Sequence, residues 1–153
     1  MKLAFSTNAY LKFSFQDAVR RLARIGYQGV EIMADVPHAW PACLLEEQKQ
    51  SIRDALKSHR LGISNVNAFM MNAISDVRQK YWHPSWIEPD RHYRRIRVEH
   101  TIRSLSLARE LGAPSITTEP GGHRRDAGAS SSRPRRRGHR LRRDLPRHPA
   151  DRL

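Results

Sequence analysis

One junction recurs three times in this chain: a helical segment, a glycine and then a short apolar strand. It is written "ARIGYQGVEIM", "SHRLGISNVNAF" and "ARELGAPSITTE". With an opening strand at residues 2–7, the junctions give four strands that alternate with helices. Strands in such an order pair in parallel through right-handed crossovers. The sequence therefore predicts an α/β fold of parallel (β/α) units, which suits either a doubly wound sheet or half of a (β/α)8 barrel.

Helical periodicity and helix-end signals place the individual elements. We expect helices over residues 14–26, 44–60 and 90–111, and further strands over residues 29–33, 63–69 and 115–119. Each helix is expected to end at a glycine, because glycine adopts the left-handed conformation readily: Gly26, Gly62 and Gly112. The apolar faces predicted for the second and third helices consist of Leu45, Ile52, Ala55, Leu56, Val98, Ile102, Leu105 and Ala108.

The loops distinguish the two architectures. Neither G-x-G-x-x-G after the first strand nor a P-loop is present, so a nucleotide-binding sheet loses support. The segments after the second and third strands are long and rich in aromatic and polar residues, whereas the helix-to-strand connections are short. Barrel enzymes carry their function on the loops at the carboxyl ends of the strands. This asymmetry favours the first half of a TIM barrel.

Four side chains near the predicted strand ends are candidates for substrate binding. Glu31 interrupts an apolar strand, where an unpaired carboxylate is costly to bury, so it is expected either to face a polar barrel mouth or to pair with an arginine. His38 is expected either to contact a polar substrate or to pack on Trp40. Asn67 and Glu119 lie near strand ends, where a substrate-facing role and a structural role are equally open.

Other features are assigned to packing or solvation. His83 is expected to pack within its own loop, and the basic stripe at residues 91–97 to form a solvated helix face. An aromatic group after the third strand could form a lid over a ligand or a satellite core: Tyr81, Trp82 and Trp86. No metal-binding spacing such as H-E-x-x-H occurs, so no metal ligand is assigned.

The chain is expected to be cytoplasmic and not associated with a membrane. Cys43 is the only cysteine, which excludes a disulfide framework and is typical of a reducing compartment. The amino terminus begins directly with a strand pattern rather than a signal peptide, and no run of 18 apolar residues follows.

The segments "MKLAFSTNAY", "GYQGVEIMADVPHAW", "GISNVNAFMM" and "ARELGAPSITTEPGG" resemble the sugar phosphate isomerase/epimerase family of the xylose isomerase-like barrel superfamily. The resemblance covers residues 1–122 and implies the amino-terminal half of a (β/α)8 barrel. It also implies a sugar or sugar phosphate substrate, with Glu31, His38, Asn67 and Glu119 on the substrate-facing rim.

In the family that the chain resembles, a divalent metal (Mn, Mg, Zn or Co) polarises the sugar while carboxylates move a proton between adjacent carbons. The resemblance places the metal ligands on later strands, so none is carried over to this chain. The superfamily also contains endonuclease IV-type repair enzymes, which would be expected to have histidines after the third and fourth strands. Asn67 and Glu119 occupy those positions here and disfavour that relative.

Residues 123–153 differ sharply in composition from residues 1–122. They contain eleven Arg, no Lys and three Asp, so +8 of the formal net charge of +13 falls there. Three leucines are their only large apolar residues, and such a segment is expected to be disordered. Arginine without lysine among Ala, Gly, Pro and Ser is typical of an out-of-frame reading of a GC-rich gene.

We therefore expect a frameshifted or truncated barrel enzyme that is inactive alone. The alternative is a non-enzymatic half-barrel with a disordered arm that binds nucleic acid by charge, which is disfavoured because base-stacking aromatics are missing from the arm. A half-barrel is also expected to expose two strand edges and an apolar interior, and hence to self-associate.

Overall fold

The computed structural model describes residues 1–70 and 83–118, which form a parallel sheet with helices packed on one face. The strands lie in the order β1-β2-β3-β4. They are β1 (Ala4–Ser6), β2 (Gly29–Met33), β3 (Gly62–Asn67) and β4 (Ile116–Thr117). The helices are α1 (Phe15–Ile25), α2 (Glu46–Ser58) and α3 (Arg91–Leu111), and a short 3-10 helix covers Thr7–Tyr10. The predicted α/β fold of parallel (β/α) units is confirmed.

Two of the three predicted glycine stops are confirmed, and the third is wrong. Gly26 ends α1 with φ 104° and Gly112 ends α3 with φ 74°, both in the left-handed region. At the amino end of α1, the Ser14 hydroxyl accepts a hydrogen bond from an amide of the first turn, as expected of a helix cap. After α2, the left-handed residue is Arg60 at φ 55°. Gly62 is instead the first residue of β3.

The apolar core lies between the helices and one face of the sheet. Its buried members come from all three α-helices and from β2 and β3, and include Phe15, Val19, Leu22, Val30, Ile32, Ile52, Leu56, Val66, Leu107 and Ala108. Leu45, expected on the inner face of α2, is the exposed residue preceding the helix.

The buried face of α3 includes Ala108 as predicted but otherwise differs from the predicted face. Val98, Ile102 and Leu105 are 41%, 57% and 52% exposed. The residues that face the sheet are Arg97, His100, Ser104, Leu107 and Ala108. Both sets recur at helical spacing, so periodicity alone could not distinguish them. Arg97 and His100 turn toward the sheet because they contact groups at the carboxyl ends of the strands, namely Thr118 after β4 and Trp40 after β2.

A register shift in the middle of the sheet decides which β3 side chains face the core. Val30 pairs with Ile63, but Glu31 pairs with Asn65, so Ser64 is an extra residue in β3. Side chains alternate between faces along a strand, and an inserted residue reverses that alternation. Ile63 therefore packs on the core, while Asn65 shares the opposite face with Glu31.

The face opposite the helices is largely polar at the centre of the sheet. Glu31, Asn65, Asn67 and Thr117 are hydrogen bonded to one another there. The expectation of an apolar interior is wrong for this part of the sheet. The register shift is the physical reason, since it turns two asparagines to this side.

Candidate functional site

Glu31 is held by two side-chain amides at the centre of the polar face. Asn65 donates a hydrogen bond from Nδ2 to Glu31 Oε2 at 2.9 Å, and Asn67 donates from Nδ2 to Oε1 at 3.3 Å. Each carboxylate oxygen thus accepts one amide hydrogen bond. Of the two alternatives for this carboxylate, the structure supports the polar face, with asparagines in place of the expected arginine.

The hydrogen bonds extend from Glu31 across the two following strands. Asn65 Nδ2 also donates to Thr117 Oγ1 at 2.8 Å, and Ser115 Oγ donates to Asn65 Oδ1 at 3.0 Å. Asn67 Oδ1 accepts from the backbone N–H of Phe69 at 2.9 Å. Side chains from β2, β3 and the β4 region are therefore fixed relative to one another.

This polar face has the chemistry of a site for hydroxyl groups. A carboxylate offers about four acceptor positions, of which the amides occupy two, and amide and hydroxyl groups both donate and accept. A carboxylate is also a common proton acceptor in enzymes. Donors and acceptors at this spacing suit a polyhydroxylated ligand.

His38 lies apart from Glu31 and Asn67, on the side of the loop that meets α1. It is 6% exposed, its Nε2 lies 3.1 Å from the carbonyl oxygen of Phe13, and its ring makes an edge contact with Phe15. Burial lowers the pKa of this imidazole. Nδ1 has no hydrogen-bond partner within residues 1–70 and 83–118. His38 does not stack on Trp40, which instead stacks on His100.

His100 belongs to a second polar group, at the carboxyl ends of the strands. It is 4% exposed and lies parallel to Trp40, with ring centroids 4.8 Å apart. Burial and then the charge of Arg97 lower its pKa to about 4, although Asp35 acts in the opposite direction. Helix α3 thereby brings a neutral imidazole against the segment that follows β2.

Arg97 contradicts the prediction that residues 91–97 form a solvated helix face. It is 1% exposed, and its Nη2 lies 3.4 Å from Thr118 Oγ1, just after β4. Its guanidinium carbon lies 5.9 Å from the ring centroid of Trp86. The reason is helical geometry: Arg97 is three residues before His100 and shares its inward face.

The loop before α3 is built around Glu88. His83 Nδ1 lies 3.0 Å from Glu88 Oε1, which also accepts from the backbone N–H of Ser85 at 3.1 Å. The His83 ring makes an edge contact with Tyr93 of α3. The expectation that His83 packs within its loop is confirmed.

Some of the predicted residues are not among those that the structure describes. Tyr81, Trp82 and Glu119 lie outside the described residues, as does the whole of residues 123–153. Among the rim candidates that are described, the structure brings Glu31 and Asn67 together and leaves His38 separate.

Sequence reasoning missed Asn65, Thr117, Arg97 and His100. The helical spacing of Arg97 and His100 could not identify them, because the predicted apolar face of α3 recurs at the same spacing. Asn65 left no signal in the sequence either, because the register shift that turns it toward Glu31 is visible only in the strand pairing.

The described residues do not fit a metal centre by themselves. Within residues 1–70 and 83–118, no three His, Cys, Asp or Glu side chains are grouped so that they could hold an ion. No catalytic step is therefore assigned to a metal bound by these residues.

A parallel half-barrel with polar side chains on its inner face and at the strand carboxyl ends belongs to the class of (β/α)-barrel proteins. Within that class, the family model for the xylose isomerase-like TIM barrel matches residues 19–144. The chain belongs to this family. The match extends beyond residue 122, where we predicted a boundary.

A solved structure supports the same fold. The chain is similar to 3-keto-D-glucoside 4-epimerase, YcjR, from E. coli in its apo form, with a TM-score of 0.51 and 19% sequence identity. The likeness covers 76% of this chain but 36% of that enzyme, so the chain spans about a third of its length. Comparison with curated proteins gives no match. Within the described residues, no helix is long and apolar enough to cross a membrane.

Proposed function

We propose that this chain supplies the amino-terminal, substrate-binding half of a sugar isomerase or epimerase. Membership of the xylose isomerase-like family and likeness in fold to an epimerase support this assignment. The observation that carries it is the Glu31 carboxylate, held by two amides on a polar sheet face. A sugar or sugar phosphate would bind there through its hydroxyl groups.

The four proposed rim residues are not equally supported by the structure. Glu31 and Asn67 lie together and would accept and donate hydrogen bonds to the sugar. His38 is included on the family resemblance alone, since its ring is buried against Phe13 and Phe15. Glu119 is included on the family resemblance alone.

The reaction proposed for the intact family architecture is proton transfer between adjacent carbons of the sugar. A divalent metal (Mn, Mg, Zn or Co) would polarise the sugar carbonyl, and its ligands would come from outside the described residues. On this proposal the chain alone binds sugar without converting it. We also place it in the cytoplasm, consistent with its single cysteine.

Ligand-observed NMR of the full chain with neutral sugars and their phosphates tests the binding role. We expect Glu31→Gln to weaken sugar binding by on the order of tenfold, because a charged hydrogen-bond acceptor is lost. The matched control is Glu47→Gln, on the exposed first turn of α2, which should leave affinity unchanged. Equal affinity of the two variants, or no sugar binding by the unaltered chain, would contradict the proposal.

A separate proposal concerns residues 123–153, which we infer to be an out-of-frame continuation of a barrel gene. Their lysine-free, arginine-rich composition supports this inference. Sequencing the gene across codons 115–130 and translating every frame provides the test. A continuous frame encoding further strand–helix units would support the frameshift. If the present frame is confirmed and the other frames contain early stop codons, the frameshift proposal is rejected. The family match through residue 144 would then reflect a genuine continuation of the chain.

A further inference from the structure

We propose that Asn65, which the register shift at Ser64 places on the inner face, is the positioning residue for the Glu31 carboxylate. Its chemical purpose rests on the proposed function: Glu31 would receive a vicinal diol of a neutral, polyhydroxylated sugar. The positioning itself depends only on the hydrogen bonds in this chain and can be tested without a sugar.

The strand register determines which face of the sheet Asn65 occupies. Without the register shift, the pairing that begins at Val30 and Ile63 would continue with Ser64 opposite Glu31 and Asn65 opposite Ile32. Asn65 would then share the helix-facing side with Ile32. Bulges often re-aim a side chain beside a functional site. Here the register shift places Asn65 beside the Glu31 carboxylate instead of beside the apolar side chain of Ile32.

The hydrogen bonds of Asn65 fix the orientation of its side-chain amide. Its amide nitrogen donates to both Glu31 and Thr117, and its carbonyl oxygen accepts from the Ser115 hydroxyl. Both amide hydrogens are thus used, and the Ser115 contact fixes which end of the amide faces Glu31. Asn65 is also 8% exposed. It is built to hold a neighbour rather than to bind a ligand.

Asn67 differs from Asn65 in each of these respects. Its contact with Glu31 is longer, at 3.3 Å against 2.9 Å, and it is only partly buried. A single amide hydrogen is used in that contact. Asn67 therefore remains suited to a ligand, while Asn65 fixes the direction of the carboxylate. Two acceptor positions of Glu31 are left for a pair of adjacent hydroxyls.

The test is to follow the Glu31 side-chain carboxyl by carbon-13 NMR during a pH titration of the full chain. Asn65→Asp is nearly isosteric and replaces the donor with a second carboxyl group. Two carboxyls at this distance share a proton, so we expect the titration midpoint of Glu31 to rise by more than one pH unit. The control is Ser58→Asp, which adds a carboxyl group at the exposed end of α2 and for which we expect a shift several times smaller.

Equal midpoints in the two variants would overturn the proposal, since Asn65 would then not contact Glu31. If Asn65→Asp does not fold, Ser115→Ala serves instead. It removes the hydroxyl that orients the Asn65 amide, and we expect the Glu31 carboxyl resonance to broaden or move. An unchanged resonance would reject the positioning role.

Sugar affinity separates this inference from the proposed function. An unaltered chain that binds no sugar would defeat the proposed function, while a raised midpoint in Asn65→Asp would still establish the positioning. If the unaltered chain does bind sugar, Asn65→Asp should lower its affinity for the neutral sugar and for the sugar phosphate by the same factor, because the diol is the group recognised.

Discussion

At the scale of single residues, His100 ties the stability of the protein to pH. Its pKa lies at about 4 in the folded chain, against 6.5 for an ordinary histidine, because the imidazole is buried. The unfolded chain therefore binds more protons than the folded chain between these two values. It follows that the free energy of unfolding falls as pH falls from 6.5 to about 4, and is unaffected by His100 above that range. The loss is at most about 3 kcal/mol.

Denaturant unfolding measured between pH 4 and 7.5 tests this dependence. His100→Gln should reduce the slope of stability against pH, although it also removes the stacking on Trp40 and lowers stability at every pH. His92→Gln, on the exposed part of the same helix, should retain the full slope. The slope remaining in His100→Gln is expected to come partly from His38, whose pKa is also lowered. Identical slopes in the two variants would contradict the assignment.

At the scale of the secondary-structure elements, Gly26 and Gly62, two of the three glycines predicted to end helices, should respond differently to alanine. Gly26 has φ 104°, a conformation that disfavours a Cβ, so Gly26→Ala should destabilise the fold by about 1 kcal/mol. At Gly62, which lies in β3, an added Cβ would meet only ordinary contacts, the nearest at 3.8 Å. Gly62→Ala should therefore be close to neutral. Thermal unfolding of both variants provides the measurement, and a larger loss at Gly62 would contradict the assignment of β3.

Local sequence signals predicted some of the secondary-structure elements but not how they pair and pack. Local signals placed β2 and the ends of α1 well, because caps and glycine stops act within a few residues. They failed for the buried face of α3, since Val98 and Arg97 recur at equally helical spacings and only contacts with the sheet choose between them. The pairing of Glu31 with Asn65 depends on a single inserted residue between two strands. Non-local register of this kind leaves no periodic signal in one strand.

At the scale of the whole molecule, the outer strands of the described sheet bear on how the chain should behave in solution. Within the described residues, β1 and β4 are the outer strands, each paired on one side. Apolar side chains lie exposed on α3, beside β4: Val98, Ile102 and Leu105. Unpaired edges next to apolar surface favour pairing with another chain. We therefore expect concentration-dependent self-association through these ends.

Sedimentation velocity over a range of concentrations and salt tests this expectation. The double variant Ile102→Glu and Leu105→Glu should shift the chain toward monomer, while Leu45→Glu, at an exposed position before α2, should not. Because the chain carries a formal charge of +13, added salt should screen repulsion between copies and strengthen association. Binding to a polyanion would respond to salt in the opposite direction. Association that weakens with salt and is unchanged by the α3 variant would thus indicate charge-mediated contacts rather than joined half-barrels.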